Sequence, residues 1–153
     1  MTPRSTIAGA LTAIATVALA GCGGESQPSK AEFAKKADAL CAATNRAHPP
    51  KPQGKSLKDA GAQEAEEVGI RRDLDKKLRA LKAPDSVKGD FDAYNTETGK
   101  IIAAIQQAAA AAKKNDRKQF NADFNRSQQE ATDRERFAIK LGFKTCGRSN
   151  PEG

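Results

Sequence analysis

Side chains able to do chemistry are scarce in this chain: one histidine, three cysteines and no tryptophan among 153 residues. His48 opens the Pro-rich run His48–Lys55, with no serine nucleophile-elbow pattern in the chain to serve. A lone imidazole builds neither a nucleophilic triad nor a His-based metal site, and the Glu-x-x-His pairs of di-metal bundles are missing. Carboxylates are plentiful, at Glu64, Glu66, Glu67, Asp73, Asp75, Asp90, Asp92, Glu130, Asp133 and Glu135. Glu67–Arg71, Asp73–Lys77, Asp75–Arg79 and Glu130–Arg134 are spaced i,i+4, which makes weak ion pairs on a solvated helix face rather than a glycosidase-style acid pair. The residues read as those of a non-enzyme that uses no metal or cofactor.

Cations outnumber anions, giving a formal net charge of +7. Arg71, Arg72, Lys76, Lys77, Arg79 and Lys82 form one cluster, and Lys113, Lys114, Arg117 and Lys118 another. Within them Arg71, Arg72, Lys76, Arg79, Lys113, Lys114 and Arg117 are the candidate anion-binding residues. Nucleic acid is a poor partner, because acids interleave the first cluster and stacking aromatics are absent. Anionic lipid headgroups or wall polymers fit better, at roughly 1 kcal/mol per cation near a membrane surface. The competing reading is plain solubilising charge.

The N-terminus supplies an address. Arg4 precedes Ile7–Ala20, an apolar run broken only by Gly9, Thr12 and Thr16, which has the make-up of a secretory signal. The run falls short of the roughly 20 apolar residues that cross a bilayer, and no Arg-Arg pair precedes it. Leu19-Ala20-Gly21-Cys22 resembles the lipobox of bacterial lipoproteins. That resemblance implies that the Cys22 thiol receives a diacylglycerol and that residues 1–21 are removed as a signal peptide. Residues 22–28 then form a short polar tether on the outer face of the cytoplasmic membrane. Two acyl chains anchor stably where one does not. An ordinary signal followed by an unrelated cysteine is the other reading.

With Cys22 acylated, Cys41 and Cys146 are left as an even pair in an oxidising compartment, which reads as a disulfide. The spacing is not C-x-x-C, so a redox pair is disfavoured.

Helices must position these groups. Leu, Ile, Val and Phe make up only 19 of the 132 residues from Cys22 onward, a fraction on the disordered side of the usual boundary. Against that stand 23 alanines in the same stretch, which favour helix and let backbones approach. Ser29-Lys30-Ala31-Glu32 has the capping-box pattern and starts a first helix with the stripe Phe33, Ala37, Leu40, Cys41 and Thr44, ending near Ala47 before the prolines. A second helix is expected from the cap at Ser56, with Leu57, Ala65, Val68, Leu74, Leu78 and Leu81 inward and Gly61 and Gly69 weakening it. Asp85 or Ser86 is expected to cap a third, carrying Val87, Phe91, Tyr94, Ile101, Ile105, Ala108 and Ala112. Asn115-Asp116 turns into a fourth with Phe120, Phe124, Ser127, Ala131, Ala138 and Leu141, stopped at Gly142 with Phe143 folding back.

The pattern predicts an all-α, four-helix bundle-like domain over 29–147 and a flexible tail over 148–153. Cys41 lies about 18 Å along the first helix, so an up-down-up-down bundle places it badly for Cys146. Either the Pro-rich connector runs back and makes the first and fourth helices parallel, the expected arrangement, or residues 143–146 climb the first helix as an extended tail.

Ala37-Asp38-Ala39-Leu40-Cys41, the prolines of 49–52, Leu81-Lys82-Ala83-Pro84 and Leu141-Gly142-Phe143-Lys144-Thr145-Cys146-Gly147 follow in that order. The arrangement resembles a loose set of small exported helical proteins, many of them lipoproteins, from high-GC Gram-positive bacteria. The resemblance implies a helical fold, a disulfide and an extracytoplasmic address, and transfers no catalytic residue.

The expected role is therefore a non-catalytic binding or interaction module anchored through Cys22 and braced by Cys41–Cys146. The alternative is a carrier for a small apolar ligand, in a groove between the third and fourth helices where Ala103, Ala104 and Ala108–Ala112 oppose Phe120 and Phe124.

Overall fold

The structure is a computed structural model that describes residues 27–52 and 54–147. The expected signal 1–21, Cys22, most of the expected tether 22–28 and the expected flexible tail 148–153 lie outside the described residues. Among the described residues four helices follow one another: α1 (Lys30–Ala47), α2 (Leu57–Arg79), α3 (Lys88–Lys113) and α4 (Arg117–Leu141), with a 3-10 turn at Asp85–Val87 leading into α3. None of the described helices is long and apolar enough to cross a membrane.

Local chemistry fixes most of the ends. Ser29 Oγ accepts from the Glu32 N–H while the Glu32 carboxylate accepts from the Ser29 N–H at 2.8 Å. Ser56 and Asp59 repeat the reciprocal arrangement at the start of α2. These are two complete capping boxes. The Ser29 N–H holds the Glu32 carboxyl below the usual range, because the bond is made to the ionised form. Asp116 caps α4 by accepting from the Gln119 N–H at 2.9 Å, after Asn115 turns the chain with a φ of 56°.

The expected cap on α3 is not formed. Pro84 enters the 3-10 turn with no side-chain cap, and the Asp85 N–H donates instead to Gln27 Oε1 at 3.1 Å while Gln27 Nε2 donates to Asp85 Oδ2 at 2.8 Å. Gln27 thus satisfies the first N–H of the 3-10 turn and is itself pinned to the α2–α3 corner, while the first turn of α3 has no side-chain cap.

Gly142, at φ 80°, ends α4 in a complete Schellman turn: the Phe143 N–H donates to the Ala138 carbonyl at 2.9 Å and the Gly142 N–H to the Ile139 carbonyl at 3.0 Å. Phe143 then leaves its own helix and inserts between Phe33 (ring centroids 5.8 Å) and Tyr94 (5.3 Å).

The parallel arrangement of α1 and α4 is overturned. Gly142 lies against Lys30 and Ala34, so α4 ends where α1 begins. From there Phe143–Cys146 climbs α1, and the N–H groups of Lys144, Thr145 and Cys146 donate to the Asp38 carboxylate at 2.9, 2.8 and 3.0 Å. This brings Cys146 to the disulfide with Cys41, Cα to Cα 5.4 Å. The tail, not the connector, closes the distance.

The core is graded along the bundle. At the end where α1 starts, Phe33, Cys41, Leu78, Val87, Phe91, Tyr94, Leu141, Phe143 and Cys146 form the main cluster, with Phe33 edge-on to Phe91 at 4.9 Å. The middle holds Val68, Ile101, Ile102 and Ile105. Toward the α3–α4 turn only Ala108, Ala109, Ala111 and Ala112 remain buried on α3. Large side chains space the helices at one end and alanines let them converge at the other.

Gly61 belongs to that convergence. It is buried where the sequence pattern expects Ala65, which is exposed, and a Cβ added to it would overlap the Ala112 Cβ. Gly69 has open space in its place. Gly69→Ala is therefore expected to stabilise by up to about 1 kcal/mol through helix propensity, and Gly61→Ala to destabilise by about 1–3 kcal/mol through overpacking. Urea unfolding of the two variants checks the opposite signs.

α4 departs from its expected stripe as well. Phe120 and Phe124 are half-buried, and Asp123 is buried in their stead. Its charge is matched by Arg126 at 2.8 Å and by the Gln119 amide at 3.0 Å.

Candidate functional site

The connector between α1 and α2 is clamped rather than loose. Gln63 on α2 donates to the Pro52 carbonyl at 2.7 Å and accepts from the Gly54 N–H at 2.9 Å. Lys51 pairs with Glu66 at 2.7 Å. Three prolines keep this stretch extended, and the clamps hold it off the helices below, leaving a cleft of about 670 Å³. Pro49 and Pro50 form its rim, Ile70, Ile105 and Phe124 supply apolar wall from α2, α3 and α4, and Glu64, Arg71 and Gln128 supply polar wall.

A second, smaller cleft of about 200 Å³ shares Asn45, His48, Glu67, Ile70 and Arg71 with the first. It runs toward the disulfide, where Tyr94, Arg134, Thr145 and Gly147 close it. Arg134 stacks its guanidinium over the Tyr94 ring at 5.4 Å. Gly147 adopts a φ of 72° directly against both side chains, and a Cβ there would stand 3.1 Å from Arg134 Nε. Burial lowers the Arg134 pKa, and the like charge of Arg71 adds to it. Burial also pushes the Tyr94 hydroxyl up.

Glu64 is the strained acid of the cleft. Half-buried, with Glu67 as a like-charged neighbour, it has its pKa raised, against a smaller opposing pull from Arg71. Folding then disfavours the ionised carboxylate, so the cost is present at neutral pH and disappears as pH falls through the raised folded value. Glu64→Gln is expected to raise the unfolding midpoint at pH 7 and leave it unchanged near pH 4, read by thermal denaturation at both pH values.

No protein-family model, curated protein or solved structure matches this chain.

The cationic residues singled out in the sequence are not one surface. Arg71 lines both clefts and lies 2.7 Å from Glu67. Arg72 is exposed and donates to Gln106 of α3. Arg79 binds Asp75 at 2.7 Å and the Asn95 carbonyl at 2.8 Å, and Lys76 is exposed nearby. Lys113, Lys114 and Arg117 are exposed at the α3–α4 turn, the far end of a 26-residue helix about 39 Å long. The alanines of α3 line neither cleft; they serve close helix packing, and the open space lies over α2 instead.

His48 is exposed yet lines both clefts, a placement that its position in a Pro-rich run did not signal. Among the described residues no group of histidine, cysteine and carboxylate side chains could hold a metal ion.

Glu130 does not take its i,i+4 partner Arg134. It faces α3 beside Glu97, with Lys100 at 3.9 Å from Glu130 and 2.9 Å from Glu97. Lys100 pulls the Glu97 pKa down, while burial and the neighbouring Glu97 carboxylate push Glu130 up. Neither lines a cleft.

Proposed function

We propose that this protein is a membrane-tethered extracytoplasmic binding module, held by a diacylglycerol on Cys22, whose ligand site is the double cleft beneath the Pro-rich connector. The observation that carries the reading is the cleft: a polar chamber continuous with apolar walls, lined by convergent side chains and an acid of raised pKa, which is the usual anatomy of a ligand site. No role in catalysis is assigned to any residue.

The geometry suits a tether. Gln27 is tied to Asp85 at the end where α1 begins, and residues 22–27 span at most about 20 Å. Counted along α2 from Arg79, Arg71 and Glu64 stand about 12 and 22 Å up the flank. A ligand can therefore reach the site beside the membrane rather than through it. Lys113, Lys114 and Arg117 lie at the opposite end, several Debye lengths of about 8 Å from the lipid when the bundle stands upright. In that pose wall polymer suits them better than headgroups do.

The alternative carrier role keeps Phe124 but moves its groove from the α3–α4 seam to this cleft, where Ile70 and Ile105 take the place of the alanines. Cys22→Ser tests the anchoring. Wild-type protein is expected in the membrane fraction with an acylated Cys22 at its N-terminus, and the variant in the medium. A membrane-bound, normally processed variant would end the anchoring claim.

A further inference from the structure

The smaller chamber holds an imbalance that the fold does not resolve. Arg71 Nε and Arg134 Nε are both buried, and neither donates a hydrogen bond among the described residues. For Arg71 the Glu67 carboxylate lies within ion-pair distance, 2.7 Å, but off the N–H direction. Arg134 stacks on the face of Tyr94 and is drawn on by the Glu135 carboxylate, yet its Nε–H stays without an acceptor. Two guanidinium groups thus share the lining of about 200 Å³ with one carboxylate, Glu67. A buried donor left unmade is costly, and a guanidinium presents Nε and Nη as a fork matched to two oxygens of one anion.

Other groups around the chamber agree. Thr44 and Asn45 from α1, Tyr94 from α3 and Thr145 from the tail add neutral polar side chains, and His48 closes the mouth. The acids outside the lining have other partners or other places: Glu66 is held by Lys51, Asp75 by Arg79 and Asp38 by the N–H groups of residues 144–146, Glu64 lies in the larger cleft only, and Glu135 acts on Arg134 from outside the lining. Beyond the chamber, Ile70, Ile105 and Phe124 offer apolar wall.

We infer that the chamber is an anion subsite, in which Arg134 and Arg71 clamp a carboxylate or phosphate whose apolar body lies along Ile70, Ile105 and Phe124. This deepens the cleft reading and rests on it, but is independent of what happens at Cys22.

The test is a titration of the full chain, purified in a zwitterionic detergent, with the arginine Nε–H resonances followed by NMR. Three probes are used: sodium hexanoate, inorganic phosphate and uncharged hexanamide. Hexanoate or phosphate is expected to shift the Arg71 and Arg134 signals saturably. Tighter binding of hexanoate would assign a carboxylate with an apolar tail; phosphate binding at least as tightly would assign a phosphate group. Arg134→Gln is expected to weaken the preferred anion about tenfold or more, whereas exposed Arg72→Gln changes it by less than about twofold. Should Arg134→Gln fail to fold, the wild-type signals decide alone. No shift with either anion, or equal loss in Arg72→Gln, overturns the inference. Hexanamide acting as well as hexanoate also overturns it while leaving the cleft as a ligand site, so the two readings fail separately.

Discussion

Replacing Cys41 and Cys146 together by alanine is expected to remove about 4–5 kcal/mol of stability. The bond joins residues 105 apart, and in the chain-entropy picture a loop of that length restrains the unfolded chain by about 4.7 kcal/mol. Small domains have only about 5–15 kcal/mol in total, so the reduced protein is expected to be partly unfolded at 37 °C. The bond also holds the one segment that reaches α1 from α4. Without it, Phe143 keeps its place between Phe33 and Tyr94 only through its own burial and the Asp38 bonds. Denaturant unfolding with and without dithiothreitol measures the effect, and the double alanine variant should match the reduced wild type. A shift under about 1 kcal/mol would mean that the unfolded chain already keeps its ends near each other.

The helices were legible because their signals are local. Ser29 and Ser56 with an acid three residues on, Asp116 after Asn115, and Gly142 as a left-handed stop each act within a few residues, and each is found in place. The disulfide was legible by counting cysteines once Cys22 is set aside. What escaped depends on distant partners. The acceptor for the Asp85 N–H, which opens the 3-10 turn before α3, comes from Gln27, 58 residues earlier. Gly61 looks like a helix defect until Ala112 is seen against it. Glu130 has a sequence partner at Arg134 and takes a different one on α3. The cleft escaped for the same reason: its rim is a proline run that composition marks only as a connector, and the clamp is a single glutamine, Gln63. Arg71 was singled out in the sequence as a surface cation. Arg134 was not, since nothing local distinguishes a helix arginine that stacks on a tyrosine 40 residues away.

Asp38 is the second residue on which the fold turns, and its substitution by alanine is expected to cost about 2–3 kcal/mol. Its carboxylate receives three successive backbone N–H groups, from Lys144, Thr145 and Cys146, at 2.8–3.0 Å. Bonds to an ionised acceptor are worth more than neutral ones, and part-buried donors left without a partner carry the desolvation cost. Because the segment leaves α4 after a Schellman turn and forms no helix or strand of its own, this side chain is what directs it along α1 toward Cys41. Asp38→Asn keeps one acceptor oxygen but turns an amide toward the remaining N–H groups, so about half the loss is expected. Amide exchange separates this from a general loosening. Residues 144–146 should exchange about thirtyfold faster in the alanine variant, as about 2 kcal/mol requires, while the middle of α3 should keep its protection under conditions where global unfolding does not limit exchange. With the disulfide intact Cys146 cannot leave, so the variant should remain folded and lose its order locally. Uniform acceleration across all four helices would show instead that the tail is an integral part of one cooperative unit.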